Sequence, residues 1–206
     1  MVSINTIDII QASERDISKL ADTLAQSFNS DPFFLWMFRQ DGKRMEGLRS
    51  FFTYSLLAHT DGEAFASKNF EACAIWFPPG GGLLDSSPET SSILESKILE
   101  WSTKEKVDRF LKVVEALSQR PIEPHGYLKY IGVKPIYQRQ GLGSTLLRHK
   151  LGFFNNEDIP VYLENTNLVN NSLYRHFGFK IINTIYMQEN APPVSLMWRE
   201  PKSKSH

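Results

Sequence analysis

Apolar and polar positions change period several times along the chain, and each change predicts an element. Thr6 to Ala12 alternate imperfectly, which predicts a short strand. From Ser13 the spacing lengthens: Ile17, Leu20, Ala21, Leu24 and Phe28 share one helical face, with Ser13 and Asp16 as a capping-box-like start. Met45, Leu48, Phe52, Ser55 and Leu56 predict a second helix over Lys43 to Ala58. EAFASK and EACAIWF, separated around Asn69, read as adjacent strands of a hairpin, and PPGGG from Pro78 to Gly82 ends the second. Up to Pro121 the pattern is mainly helical. Ile93, Leu94, Lys97, Ile98 and Trp101 form one run; a Ser102/Glu105 capping box precedes Val107, Phe110, Leu111, Val114 and Leu117. YLKYIGV, Tyr127 to Val133, predicts a strand closed by Pro135, and Leu147, Leu151 and Phe154 recur at helical spacing after it. A short strand VYLE (Val161 to Glu164), a short helix around Asn170 to His176, and two antiparallel strands in GFKIINTIYM and VSLMWR complete a mixed α+β chain of about seven strands.

Composition narrows the function classes. The 206 residues, 41% hydrophobic and 22% charged, are enough for one well-packed domain spanning residues 1–206. Lys plus Arg number 23 and Asp plus Glu number 23, so no overall field favours nucleic acid or an anionic membrane. The start MVSINTIDII has neither a basic beginning nor a long apolar core, and no segment reaches the roughly 20 apolar residues that span a bilayer. A cytoplasmic monomer or homodimer is expected. Cys73 is the only cysteine, which excludes an intrachain disulfide and any multi-cysteine metal site; no metal is expected. In ACAIWF it reads as a buried structural thiol.

The stretch YQRQGLGSTLLRHK, Tyr137 to Lys150, carries candidate chemistry because Gly141 and Gly143 sit where a strand gives way to a helix. The first turn of a helix offers N–H groups without intrahelical partners, and glycines let a ligand approach them closely. That combination suits an anion. A Walker-type loop is excluded, since Leu146 stands where GxxxxGK[ST] needs its second glycine. The dinucleotide fingerprint GxGxxG fares better, because Glu164 follows Gly143 by 21 residues, but Leu146 again replaces its third glycine. A Rossmann-type NAD(P) oxidoreductase stays as an alternative.

YLKYIGVKPIYQRQGLGSTLL also resembles the acetyl-CoA-binding segment of the GNAT superfamily of N-acetyltransferases, with Gln138, Gly141 and Gly143 filling [RQ]xxGx[GA]. LENTNLVNNSLYRHFGFK resembles that superfamily's next motif through Asn167, Asn170, Tyr174, Gly178 and Phe179. AIWFPPGGG and the HGYL start at His125 extend the similarity toward a puromycin N-acetyltransferase-like branch. The resemblance implies a GNAT fold: a central, mostly antiparallel twisted sheet flanked by helices, CoA-binding motifs over residues 125–180, and a helical insertion over about 83–120 before the CoA-binding strand. It implies acetyl-CoA as donor and a primary amine, of a small molecule or a peptide, as acceptor.

Residue roles follow from the same resemblance. Backbone N–H groups of Arg139, Gln140, Gly141, Leu142, Gly143 and Ser144 would hold the pyrophosphate, with Gln138 and the Arg139 side chain beside them. The Ile131, Gly132 and Val133 backbone would bind the peptide-like pantetheine arm, and the Val133 N–H would polarise the thioester oxygen. Tyr174 would serve the departing thiolate as acid, or be plain core. Glu164 would accept the amine's proton, or be a structural carboxylate. Asn167 and Asn170 would orient the cofactor or cap the short helix. His125 reads as a strand-opening structural histidine. DPFFLWMF, Asp31 to Phe38, and the insertion read either as acceptor-side walls or as core. A CoA-binding regulatory protein without turnover is the alternative from another class.

Overall fold

The computed structural model describes residues 7–58, 61–82, 96–118, 120–187 and 190–202. Its seven strands are β1 (Ile9–Ala12), β2 (Glu63–Ser67), β3 (Ala72–Phe77), β4 (Gly126–Val133), β5 (Val161–Asn165), β6 (Lys180–Ile185) and β7 (Val194–Arg199). They form one sheet in the order β1-β2-β3-β4-β5-β7-β6, antiparallel at every step except β4 to β5. The helices are α1 (Ile17–Phe28), α2 (Pro32–Met37), α3 (Arg44–Leu57), α4 (Val107–Ser118), α5 (Leu142–Asn156) and α6 (Asn171–His176); residues 96–101 are also helical. Thr6, Ile93 and Leu94, and the side chains of Leu111 and Val114, lie outside the described residues. No helix among the described residues is long and apolar enough to cross a membrane.

Helices cover both faces of the sheet, which is why all six residues of β3 are buried instead of alternating. Under α1 to α4 lies an aromatic core that includes Leu24, Phe34, Phe52, Trp101 and Phe110. Under α5 and α6 lies a second core with Trp76, Leu146, Leu147, Phe154 and Phe179. The predicted apolar stripe of α1 is realised in Leu20, Ala21 and Leu24, and the Ser13 N–H donates to the Asp16 carboxylate at 3.2 Å at its entry. Asp31 starts α2, its Oδ1 accepting from the N–H groups of Phe33 and Phe34 at 2.9 and 3.1 Å, with Pro32 in the first turn. One predicted cap is corrected. The buried Ser102 hydroxyl donates to the Met37 carbonyl at 2.8 Å, and Thr103 opens the 3-10 turn Lys104–Lys106 that leads into α4. The chain reverses direction there, and a buried hydroxyl takes whatever carbonyl the fold brings.

Two irregularities of β4 position everything that follows. It pairs with β3 from Tyr127 to Val133, but with β5 only over Gly126–Leu128 against Val161–Leu163. Past those residues the strands part and leave a wedge. On the β3 side, Ile75 pairs with Tyr130 and Trp76 with Leu128, so Lys129 is the extra residue of a bulge at the apex of the wedge.

The paired end of β4 is held by close packing. A Cβ on Gly126 would come 2.4 Å from the Phe154 ring in the second core. Gly126→Ala is therefore expected to lower stability by about 1–3 kcal/mol, read as a lower urea midpoint with unchanged m-value; an unchanged midpoint would show that Phe154 yields freely.

Candidate active site

The glycine loop is built for an unfilled row of donors. Gly141 is the N-cap of α5 with φ of 86°, and Arg139 has φ of 61°. A side chain at 141 meets no neighbour but would be strained in that left-handed conformation. The Gln138 amide donates to the Val133 carbonyl at 3.1 Å and the Gln140 amide to the Ile136 carbonyl at 3.2 Å, so both predicted contact residues brace the loop through their side chains. The Thr145 N–H makes the first helical bond, to the Gly141 carbonyl at 2.9 Å. The six preceding N–H groups, Arg139 to Ser144, have no backbone partner among the described residues. Gly143 leaves the space in front of them open: a Cβ there would meet only Val133, at 3.7 Å.

The wedge begins beside this row. The Lys134 N–H donates to the Glu71 carbonyl of the β3 side at 2.8 Å, so the antiparallel alternation turns the backbone groups of Val133 and Ile131 toward the wedge. The Val133 N–H donates to Ser27 Oγ of α1 at 3.1 Å. Ser27 was invisible to pattern reading because it is a lone hydroxyl on the sheet-facing side of α1, among Leu20, Thr23 and Leu24. Gly132 lets α1 this close, since a Cβ would be 2.9 Å from Ser27.

Beyond β5, Tyr174 on α6 is 6% exposed with its ring edge-on to Phe179. Burial, and secondarily the Asp31 charge, raise its hydroxyl well above the usual tyrosine range, so it keeps its proton. Thr166 donates to Asp31 Oδ2 at 3.1 Å, tying the β5–α6 loop to the start of α2. Asn167 caps the 3-10 turn Leu168–Asn170 by accepting from the Val169 N–H, whereas the exposed Asn170 side chain makes no capping bond.

Glu164 stands on β5 one residue past the end of β4–β5 pairing, its side chain 7% exposed. The Tyr127 hydroxyl donates to Oε2 at 2.5 Å; Oε1 lies 3.9 Å from Arg120 Nε and has no hydrogen bond among the described residues. Burial raises its carboxyl above the usual carboxylate range, opposed first by the Arg120 charge and then by the Tyr127 hydrogen bond. Burial also brings the Lys129 ammonium down to about 7. Tyr127 and Lys129 lie within HGYL and YLKYIGV without a role being assigned to them, and Arg120 lies in no motif. His125 bonds the Glu123 carbonyl through Nδ1 at 2.6 Å and packs against Tyr162 and Trp198, a structural environment. Cys73 is fully buried with its thiol pushed up to about 12, far from a nucleophile. Of DPFFLWMF, Phe33, Phe34, Met37 and Phe38 are core; Trp36 is half-buried with the Arg109 guanidinium 5.2 Å from its ring centre. A cleft of about 260 Å³, lined in part by Glu14, Leu57, Phe77, Lys129 and Tyr130, opens on this face between α1, α3 and the sheet.

The dinucleotide-fold reading fails here, because it needs a parallel sheet and only β4 and β5 run parallel. Known proteins agree with the other one. Residues 107–181, from α4 into β6, match the family model of the acetyltransferase (GNAT) domain. An uncharacterized N-acetyltransferase of Schizosaccharomyces pombe is 28% identical over 211 residues, 93% of this chain and 82% of the relative. Among solved structures, the histone acetyltransferase HPA2 and related acetyltransferase from Corynebacterium glutamicum superposes with a TM-score of 0.71 at 23% identity, covering 98% of this chain and 99% of that one. Arylalkylamine N-acetyltransferase 2 from Aedes aegypti gives 0.60 at 13% identity, covering 96% and 100%. The fold is the GNAT fold, and residues 107–181 are similar to the acetyltransferase domain of that family.

The buried carboxyl makes a pH-dependent prediction. A carboxyl with its folded pKa raised above its unfolded one contributes stability below the unfolded value, about 4.3, that is lost as pH rises through the folded value. Relative to wild type, Glu164→Gln should therefore gain stability between pH 4 and pH 8 in paired urea titrations; a constant difference would mean that Glu164 titrates as it does in the unfolded chain.

Proposed function

We propose that the chain is an acetyl-CoA-dependent N-acetyltransferase that moves the acetyl group directly to a primary amine of a small molecule or peptide. One observation carries the reading: six adjacent N–H groups at the start of α5, without a backbone partner among the described residues, adjoin a strand edge that faces an open wedge. The first suits a pyrophosphate at a helix N-terminus, the second a peptide-like arm. When bound, acetyl-CoA supplies a thioester whose carbonyl carbon is open to attack and whose thiolate departs.

The chain's own residues do the rest. Arg139 to Ser144 bind the pyrophosphate through backbone N–H groups, with Gln138 and Gln140 holding the loop in shape. Ile131, Gly132 and Val133 align the arm, and the Val133 N–H polarises the thioester oxygen as Ser27 Oγ gives up its hold on that donor. Glu164 takes the proton of the attacking amine. Tyr174, which keeps its proton, hydrogen-bonds the departing thiolate. Asn170 is free to contact the cofactor; Asn167 shapes the turn that presents it. The acceptor enters through the cleft above Lys129, whose apolar walls and few polar groups suit a small body. AIWFPPGGG and HGYL support the puromycin N-acetyltransferase-like branch, and the balanced charge supports a cytoplasmic single-domain enzyme. Names among the structural neighbours span a ribosomal-protein alanine and arylalkylamines as acceptors, which supports keeping both classes in an amine panel followed by thiol release.

Gly143→Val should leave stability within about 1 kcal/mol, because the site has room, yet weaken acetyl-CoA binding at least ~tenfold by intruding on the donors. Calorimetric binding equal to wild type in a folded variant would remove the loop from the cofactor site.

Tyr174→Phe keeps the ring against Phe179 and removes only the donor. Turnover should fall by about 10²-fold with acetyl-CoA affinity nearly unchanged. Loss of both together would make the residue structural.

A further inference from the structure

Arg120 reaches the site from the end of the helical insertion, just ahead of β4, and its side chain is 15% exposed. Its guanidinium lies 3.9 Å from the centre of the Tyr127 ring, and its Nε lies 3.9 Å from Glu164 Oε1. Tyr127 is the residue whose hydroxyl holds the other carboxylate oxygen. One cation therefore braces the donor to Oε2 and sets the field at Oε1, without a direct hydrogen bond to the oxygen that stays free. We infer that Arg120 is a positioning residue for the proposed base: set against the Tyr127 ring, it holds Glu164 as a carboxylate whose buried Oε1 is left without a hydrogen bond.

Resting on the proposed function, this inference names the part of the insertion that the chemistry uses. The charged and titratable groups that face Glu164 are Tyr127, Lys129 and Tyr130 of β4, Tyr162 of β5, and Arg120. The tyrosines are neutral donors. Burial, and then the Arg120 charge, bring Lys129 down to about 7, so its charge weakens as pH rises. A guanidinium cannot lose its charge in this range, so Arg120 is the cation that persists at every pH where an amine is acetylated. Its planar face also fits the tyrosine ring, which an ammonium would cover less well. Glutamine at 120 removes the charge, and the buried carboxyl then favours its neutral form, bonded to Tyr127 and unable to take a proton.

The test follows the protonation of Glu164 itself. The infrared absorption of the protonated carboxyl is recorded against pH in wild type and in Arg120→Gln, with Glu164→Gln identifying the band. In Arg120→Gln the band should persist to higher pH than in wild type, with about tenfold more protonated carboxyl at pH 7. Arg120→Lys should return it toward wild type, and acetyl-CoA affinity should stay within about twofold in both. With any amine that the panel finds accepted, kcat of Arg120→Gln should fall about tenfold at pH 7 and recover at pH 9. A merely structural arginine would lower kcat equally at both. If the glutamine variant does not fold, Arg120→Met keeps the aliphatic stem on Tyr127 and removes the same charge. A band that titrates at the same pH with and without the Arg120 charge overturns the inference. Full turnover of Glu164→Gln would overturn the base reading on which it rests, and is read independently of the band.

Discussion

The parting of β4 from β5 is the constraint on which the rest of the structure depends. Two parallel strands that pair for three residues and then separate leave backbone donors and acceptors without partners. A buried amide cannot stay so without cost. The chain meets that cost in part with its own side chains, Ser27 on the Val133 N–H and Gln138 on the Val133 carbonyl. The bulge at Lys129 lies at the point of separation, so the register shift and the wedge belong to one distortion of β4.

Two different environments meet at that point. Toward the start of α5 the wedge ends in the N–H groups of a helix, a polar and open place suited to phosphate. Toward the paired ends of β4 and β5 it ends against the aromatic core, where Glu164, Lys129 and Arg120 are gathered among Tyr127, Tyr130 and Tyr162. In that low-dielectric setting each charge moves its neighbours strongly, and burial drives both the carboxyl and the ammonium toward their neutral forms.

Much of this was legible in the sequence, and the reason is range. Strand and helix periods, the Gly141 start and the loop glycines are set by residues within a turn or two of one another, so alternation and spacing in YLKYIGV and the α5 segment sufficed to order them; the short helix that Asp31 starts was not read from the sequence. The run ACAIWF read as an apolar hairpin strand with a buried Cys73, and the structure buries all six of Ala72–Phe77. Local reading failed at Ser102 because its partner, Met37, lies 65 residues back in the chain.

The pairings that make the site were decided only in three dimensions. Glu164 meets Tyr127 across 37 residues and Val133 meets Ser27 across 106, and neither contact leaves a periodic trace. Which face of β4 looks at the wedge depends on the bulge at Lys129, and a one-residue shift of register exchanges the faces. By itself the sequence determined most of the elements and the glycine loop at the start of α5, since those rest on local backbone chemistry, whereas the candidate acid and base came only through the resemblance. Only the tertiary structure decided that the strands part, that Arg120 comes to Glu164 and that Ser27 holds the Val133 N–H, because burial and charge act through space between residues the chain order keeps apart.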